Sequence, residues 1–443
     1  MQTILTIPEV AALDARPAMI RIPPELDVPL TPRVRQLIDT ADFRRLARIS
    51  QLGLVSLVYP AALHTRFEHS LGVYRLALLY LQQLAHQERF AAAVGAAEAE
   101  VFIAAALLHD LGHWPFCHPI EDIHLPGVPS HELFANSFLL EGEIGDVLRH
   151  DWGINPRDVV ALLSEKPRGA AARILTSMLS GPIDIDKMDY LFRDSLHAGV
   201  PYGRHFDQQR LLGSLCLNRA GDGLAITDKG KTAAELMVFA RYVMFSEVYW
   251  HHGVRAATAM LQRAFYLLHG TLDLDALFRT SEAEFIGQLE RAAAAGPAGE
   301  ILRGLFGPVR SLYKRLAQYS FAEQGELYRR LARRPYPWLA ACAEQFAALA
   351  SAALGRVVAP HEILFDAPPP TREVQFDVEI HFPKEGRYRT LGEVSPVIRT
   401  LATEQFDDYV KRVRIFAHPR VVADLRALTT LPELLDEAIR KTE

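Results

Sequence analysis

The sequence predicts a mainly α fold: a helical core that carries one small β-hairpin, followed by a C-terminal α+β lobe. Three observations lead there. Apolar residues recur at helical spacing from about Thr31-Pro32 to Asn218, and alanine- and leucine-rich helices continue beyond Gly270 to about Leu354. Period-two alternation is confined to short runs, of which Glu373-Val374-Gln375-Phe376-Asp377-Val378-Glu379-Ile380 is the longest. A stiff run, Pro368-Pro369-Pro370, precedes that strand and marks a boundary.

The elements follow in order. Residues 1–30 form an N-terminal extended segment, with Ile20-Arg21-Ile22-Pro23-Pro24 as an edge strand. Residues 31–270 form the helical core, whose first helix has Pro32 near its start. A helix opens at about His64 and runs to about Gln87, and Ala91 to Leu108 forms a buried one. Ser130 is a natural N-cap for a helix beginning at His131. Leu215-Cys216-Leu217 and Leu224-Ala225-Ile226 pair through Gly221-Asp222-Gly223 as a hairpin, and a helix then runs from about Lys231 to Trp250. Residues 271–367 form a helical extension with solvated, charge-alternating faces. In the lobe, residues 368–443, the strands are Glu373–Ile380, Tyr388–Leu391 and Val413–Phe416. Its helices run from about Ser395 to Lys411 and from Pro419 to Lys441.

Composition bounds the function. With 443 residues and 49% hydrophobic content the chain can bury a large core. A net charge of -5 argues against a general nucleic-acid binder, which carries a basic surplus. Cys117, Cys216 and Cys342 are odd in number and far apart, which fits a reducing compartment without a disulfide framework. There is no apolar run long enough to span a bilayer and no basic, apolar leader at the start, so the expected location is the cytoplasm.

The chemistry concentrates around His109-Asp110, where an apolar helix ends in an adjacent imidazole and carboxylate. Burying that carboxylate is costly unless a charge compensates it, and a divalent metal ion is the usual compensation. Of 17 histidines, His64, His69, His86, His109, His113, His118, His124 and His131 all fall within one stretch. Downstream, Asp186, Asp189 and Asp194 interleave with Lys187, Arg193 and apolar positions. Ligands drawn from three helices can surround one ion and leave positions open for water and substrate.

The order His69, His109-Asp110, Asp186 resembles the H…HD…D pattern of the HD-domain phosphohydrolases. The phrases Gln51-Leu52-Gly53, His64-Thr65-Arg66-Phe67-Glu68-His69-Ser70-Leu71-Gly72-Val73, His109-Asp110-Leu111-Gly112-His113, Pro115-Phe116-Cys117-His118 and Asp186-Lys187-Met188-Asp189-Tyr190 are similar to one branch, the deoxynucleoside triphosphate triphosphohydrolases. The resemblance extends from about Ala41 to about Met260. It implies an HD-domain helical core that hydrolyses a deoxynucleoside triphosphate (dNTP) to deoxynucleoside and inorganic triphosphate. It implies His69, His109, Asp110 and Asp186 as ligands of one divalent ion, with room for a second ion arriving with substrate. His113, His118 and His131 would line the α-phosphate end, His118 protonating the leaving oxygen with support from Glu121. Arg66, Lys187 and Arg241 would hold the triphosphate. Tyr190 and Asp194 would touch sugar and phosphate. Gln51, Leu52 and Tyr249 would pack around the deoxyribose, Tyr249 and Leu52 would exclude a 2′-hydroxyl, and His251 would sit nearby. The branch also implies a homo-oligomer, tetramer or dimer, and in many members a nucleotide activator bound between subunits. Of the activator-reading residues of the SAM-containing enzymes, Asp39 matches one, while Arg44 and Ala47 replace the other two.

Other readings stand beside these. His109-Asp110 also reads as a buried hydrogen-bonded pair, His113 as a helix C-terminal cap and His131 as a first-turn surface residue. His64 reads as structural. Two imidazoles and two carboxylates suit Mn²⁺, Fe²⁺, Ni²⁺, Mg²⁺ or Zn²⁺. An HD phosphohydrolase for another nucleotide, monophosphate or cyclic, and a non-catalytic nucleotide sensor are the alternative functions.

Overall fold

A computed structural model describes residues 3–15, 18–369, 378–401 and 410–443. The chain is mainly helical, as its periodicity predicts. Three helices build the centre. Arg66–Leu84 packs on Ala96–Leu108 and on Ile185–His197. The run Ala104-Ala105-Ala106 is fully buried, and such small side chains let neighbouring backbones approach closely. The predicted cap at Ser130 forms, its hydroxyl accepting from Leu133 N–H at 3.4 Å, and the helix predicted near Thr31-Pro32 starts with the Thr31 hydroxyl accepting from Val34 N–H at 3.3 Å.

The N-terminal segment differs from the extended prediction. Pro8–Ala15 is a helix, with Pro8 at its first position where its missing N–H is not needed. Glu9, fully buried, accepts from the Thr31 hydroxyl at 2.6 Å and from Arg33 Nε at 2.9 Å, which pins this helix to the core. The Ile20–Ile22 edge strand has a partner, since Met19–Ile22 pairs antiparallel with Leu26–Pro29.

The predicted hairpin forms between Leu215–Leu217 and Leu224–Thr227. It is half of a larger sheet: Glu379–Phe382 adds in parallel to Leu224–Thr227, and Arg387–Thr390 closes the far edge. Of the predicted 373–380 strand, residues 373–377 lie outside the described residues, as does 402–409 of the helix predicted from Ser395. The predicted Pro419–Lys441 helix is two, Pro419–Ala427 and Leu431–Thr442.

A second sheet overturns part of the helical extension. Lys314–Tyr319 and Ile363–Asp366 are strands, and both pair antiparallel with Val413–Ala417 between them. Leu316, Ala317 and Gln318 favour helix locally, but tertiary pairing overrides that preference. The Tyr336–Leu354 helix packs on this sheet and on Leu431–Thr442, and these elements share one apolar cluster. Arg255, on the core helix His252–Leu268, donates from Nη2 to Asp366 at 2.5 Å while lying over the Trp250 ring at 3.9 Å. That buried ion pair ties the core to the second sheet.

The helix predicted from Lys231 to Trp250 is α-helical only to Met244. Phe245–Tyr249 is a π turn in which Trp250 N–H donates to Phe245 C=O at 2.8 Å. Such turns re-aim side chains and are frequent at functional sites. Among the described residues no helix is long and apolar enough to cross a membrane.

Removing one partner of the buried Arg255–Asp366 pair strands a charge. Asp366→Ala is expected to cost about 3–5 kcal/mol in urea unfolding. A cost below about 1 kcal/mol, typical of exposed pairs, would refute this role.

Candidate metal centre and active site

Four predicted ligands meet at the ends of three elements. His69 sits one turn into Arg66–Leu84, His109 and Asp110 end Ala96–Leu108, and Asp186 opens Ile185–His197. His69 Nε2 lies 3.1 Å from Asp186 Oδ1 and 3.2 Å from His109 Nε2. Asp110 Oδ1 lies 3.4 Å from His109 Nε2, and Asp110 Oδ2 lies 3.9 Å from His69 Nε2.

The opposite ring nitrogens set the tautomers. His69 Nδ1 is 2.8 Å from Asp189 Oδ2, and His109 Nδ1 is 2.9 Å from the Ala106 carbonyl. Both partners only accept, so each Nδ1 carries a hydrogen, and each Nε2 presents a lone pair whenever its ring is neutral, as it is on binding a metal ion. Two lone pairs facing each other beside two carboxylates fit a divalent cation. Burial opposes charge on His69, yet Asp186 and Asp189 raise its pKa to about 10. The carboxylates call for positive charge at this point, and a metal ion supplies it to both rings at once.

Behind His69 runs a buried polar chain. Asp189 accepts from Arg193 Nε at 2.8 Å and Nη2 at 2.7 Å, and Arg193 Nη1 reaches Glu68 at 2.6 Å. Burial pushes the Asp189 carboxyl up, but Arg193 and His69 outweigh it and hold it well below the usual range. Glu68 meets His197 Nε2 at 2.9 Å, and the His197 ring stacks on His64 at 4.4 Å. His64 Nε2 meets Asp194 Oδ1 at 3.0 Å, and Asp194 Oδ2 accepts from the Tyr249 hydroxyl at 2.6 Å. Gly72 makes room for this chain, since a Cβ there would stand 1.9 Å from Asp189 Oδ1.

A second group lies alongside. The His113 ring is 3.9 Å from that of His131 and 5.0 Å from that of His118. His113 Nδ1 is 3.1 Å from Asp110 Oδ1, which joins this group to the metal ligands. Glu121 gathers the others: Oε1 is 2.9 Å from His131 Nδ1, and Oε2 is 3.4 Å from His118 Nδ1. The His118 side chain is 60% exposed. Burial lowers the His113 pKa well below its usual value and Arg66 lowers it further, so its ring is neutral. Burial also opposes charge on His131, but Glu121 raises it above the usual value. Arg45 clamps the turn that carries these groups, donating to the carbonyls of Leu111 at 2.6 Å and His113 at 2.9 Å. At Gly112 a Cβ would stand 2.0 Å from the His131 carbonyl, so only glycine lets the two segments meet.

The predicted substrate residues divide by placement. Tyr249 and Asp194 are bonded to each other, and Tyr190 and Arg241 act on the Tyr249 hydroxyl electrostatically. Arg241 also lies over the Phe245 ring at 5.4 Å. Gln51 and Leu52 lead into the turn Gly53–Leu57, and Gln51 Oε1 is buried without a hydrogen-bond partner. Arg66 Nη1 is engaged by Asp110 Oδ2 at 2.8 Å, and Lys187 Nζ by Asp184 Oδ2 at 2.5 Å. His251 caps His252–Leu268, its Nδ1 accepting from Gly253 N–H at 3.2 Å, and it faces Tyr59 and Arg414. The structure thus gives His251 a capping contact and no contact with Tyr249 or the metal ligands.

Sequence reasoning missed the supporting roles of Asp189, Arg193, Glu68, His197 and Arg45. Asp189 had a signal: it follows Asp186 by three residues and so shares its helix face.

The HD domain family matches residues 66–193, and the HD associated region matches residues 206–430, more than half of the chain. The chain belongs to the HD-domain family. HD domains bind divalent metal ions and make up a metal-dependent phosphohydrolase superfamily. This HD-domain chain is 37% identical to an uncharacterised protein of Bacillus subtilis over 229 residues, 51% of this chain and 50% of that one. It is 29% identical to a deoxynucleoside triphosphate triphosphohydrolase of Danio rerio over 279 residues, 54% of this chain and 43% of that enzyme. The chain spans about half the length of the curated relatives it matches. A crystal structure of a hypothetical protein from Aquifex aeolicus superposes with a TM-score of 0.71 at 27% identity, covering 93% of this chain and 99% of that one. A phosphohydrolase from Bacteroides thetaiotaomicron shares the fold, with a TM-score of 0.67 at 23% identity over 90% of this chain and 100% of that one.

Two predictions follow from the geometry. Asp189→Asn weakens the acceptor that fixes the His69 tautomer, so metal affinity by calorimetry is expected to fall about 10–100-fold with the fold retained. Unchanged affinity would remove Asp189 from the centre. The Glu121–His131 contact carries a pH signature. Burial raises the Glu121 carboxyl, but its histidines bring it well below its ordinary 4.5, so its contribution is present above 4.5 and lost in acid. His131, raised above 6.5, contributes fully below that value and loses its contribution as pH rises through the raised one. Glu121→Gln is therefore expected to cost most stability between 4.5 and 6.5 and less in alkali. Denaturation midpoints that shift equally at every pH would contradict this.

Proposed function

We propose that this chain is a metal-dependent dNTP triphosphohydrolase, attacking the α-phosphorus and releasing deoxynucleoside and inorganic triphosphate. The observation that carries the reading is the contact between two groups. His113 touches the metal ligand Asp110 on one side and the His131–Glu121–His118 group on the other. A phosphorus atom bridging them has a cation site on one face and a proton donor on the other. The similarity to deoxynucleoside triphosphate triphosphohydrolases over about half of the chain supports the substrate class.

The roles divide accordingly. His69, His109, Asp110 and Asp186 hold the ion, which when bound polarises a phosphoryl oxygen and lowers the pKa of water. His118, exposed and oriented by Glu121, gives a proton to the leaving 5′ oxygen. His113 and His131 line the phosphorus. Arg66 keeps its Nε and Nη2 donors for the phosphates while Nη1 holds Asp110. Lys187 and Arg241 complete the cationic wall. Tyr249, anchored by Asp194, stands with Leu52, Gln51 and Tyr190 against the sugar and leaves no room for a 2′-hydroxyl. His251, two residues after Tyr249, is proposed to stand near the sugar. The reading carries with it a cytoplasmic setting and a homo-oligomer; Arg44 and Ala47 interrupt the activator-reading residues of the SAM-containing enzymes, so activation goes through another nucleotide, through another surface or is not needed.

Product analysis tests the reading. The purified chain with Mn²⁺ or Mg²⁺ is expected to convert dNTPs, singly or mixed, to deoxynucleoside and inorganic triphosphate. Orthophosphate or pyrophosphate would overturn α-phosphorus attack, and no product from any mixture would favour another nucleotide substrate or a sensor. Asp186→Ala is expected to lose both bound metal and turnover. Tyr249→Ala is expected to raise ribonucleotide turnover relative to deoxyribonucleotide, and an unchanged ratio would remove Tyr249 from the sugar wall.

A further inference from the structure

Beside the predicted metal centre lies a second set of donors of different chemistry. One ring nitrogen each from His113 and His131 and the sulfur of Cys117 all lie within 4.8 Å of one another. His113 is 3% exposed, and its Nε2 has no hydrogen-bond partner. Cys117 is 1% exposed and is a free thiol, with Glu121 as its hydrogen-bond partner. The Glu121 carboxylate also forms a group of possible ligands with His131 and His118. The surface-facing His118, 60% exposed, gives an ion a way in.

We propose that His113, Cys117 and His131, with Glu121 completing the set, bind a thiophilic divalent ion such as Cd²⁺ or Zn²⁺, and that filling this site stops turnover. The two centres differ in softness. Two imidazoles and two carboxylates suit harder ions, whereas two imidazoles and a thiolate select soft or borderline ones. Binding exchanges a proton for the ion: the Cys117 S–H bond breaks, a sulfur–metal bond forms and the proton leaves to solvent. The ion then occupies His113 and His131, which line the reacting phosphorus. The inhibitory half rests on the proposed function, whereas the binding half does not.

The experiment titrates the Mn²⁺-loaded full-length protein with Cd²⁺ alone. The native chain is expected to develop the ultraviolet thiolate-to-cadmium charge-transfer band while electron paramagnetic resonance shows Mn²⁺ retained. Turnover of dNTP falls as the band grows. Cys117→Ser is expected to keep basal turnover, to lose the band and to need at least about tenfold more Cd²⁺ for the same inhibition. Cys117→Ala serves in its place should the serine variant not fold. A native chain without the band, or a band unchanged in the Cys117 variants, would overturn the site. Equal inhibition in native and variant protein with release of Mn²⁺ would place the ion at the catalytic centre and overturn the inhibitory role. Should no dNTP be turned over, the band still decides the site, and the proposed function fails separately.

Discussion

Two imidazole nitrogens, His69 Nε2 and His109 Nε2, face each other at 3.2 Å with their lone pairs converging. When both rings are neutral with their hydrogens on Nδ1 these lone pairs repel, and positive charge at this point, whether a proton or a metal ion, relieves the repulsion. Much of the nearby architecture serves this arrangement. The Ala106 carbonyl fixes one ring from within its own helix. Asp189 fixes the other from a neighbouring helix, and is itself fixed by Arg193. Gly72 is bare because the space a side chain would fill belongs to that carboxylate.

The same chain of contacts continues away from the ion. Through Glu68, His197 and His64 it reaches Asp194 and the Tyr249 hydroxyl. Burying this many polar and charged groups is unfavourable unless each finds a partner in good geometry, and a fully satisfied network is rigid in return. Rigidity is what the proposed function asks of a network that joins the candidate metal ligands at one end to Tyr249 at the other. The π turn Phe245–Tyr249 contributes in the same sense, since it sets the direction from which Tyr249 meets Asp194.

The convergence of His69, His109, Asp110 and Asp186 was legible because its signals are local: a His-Asp pair at a helix end, a histidine in a helix opening, an aspartate in another. Helix starts were legible for the same reason, as Thr31 and Ser130 show. What escaped was non-local. Lys314–Tyr319 lacks a strand pattern of its own and becomes one only through pairing with Val413–Ala417, about a hundred residues away. The supporting residues Arg193, Glu68 and His197 look in sequence like solvated charges, because nothing local says that three helices will enclose them. Lys187 and Arg66, which the resemblance assigns to the triphosphate, are each also held by a carboxylate that the fold brings to it. Nor does the sequence announce that the His251 ring caps the helix that follows.

The second sheet has its last strand in the middle. Val413–Ala417 lies between Lys314–Tyr319 and Ile363–Asp366, which do not pair with each other. During synthesis both outer strands therefore emerge well before the strand that joins them, leaving open edges of the kind that template mispairing. The helical centre with all four predicted ligands is by then complete in sequence and rich in contacts between near neighbours, which form early. Asp366 sits on one of the waiting strands and reaches back to Arg255 on the core. That ion pair can hold the strand against finished structure while its partner is still being made, so one buried charge serves as a chaperone for an edge.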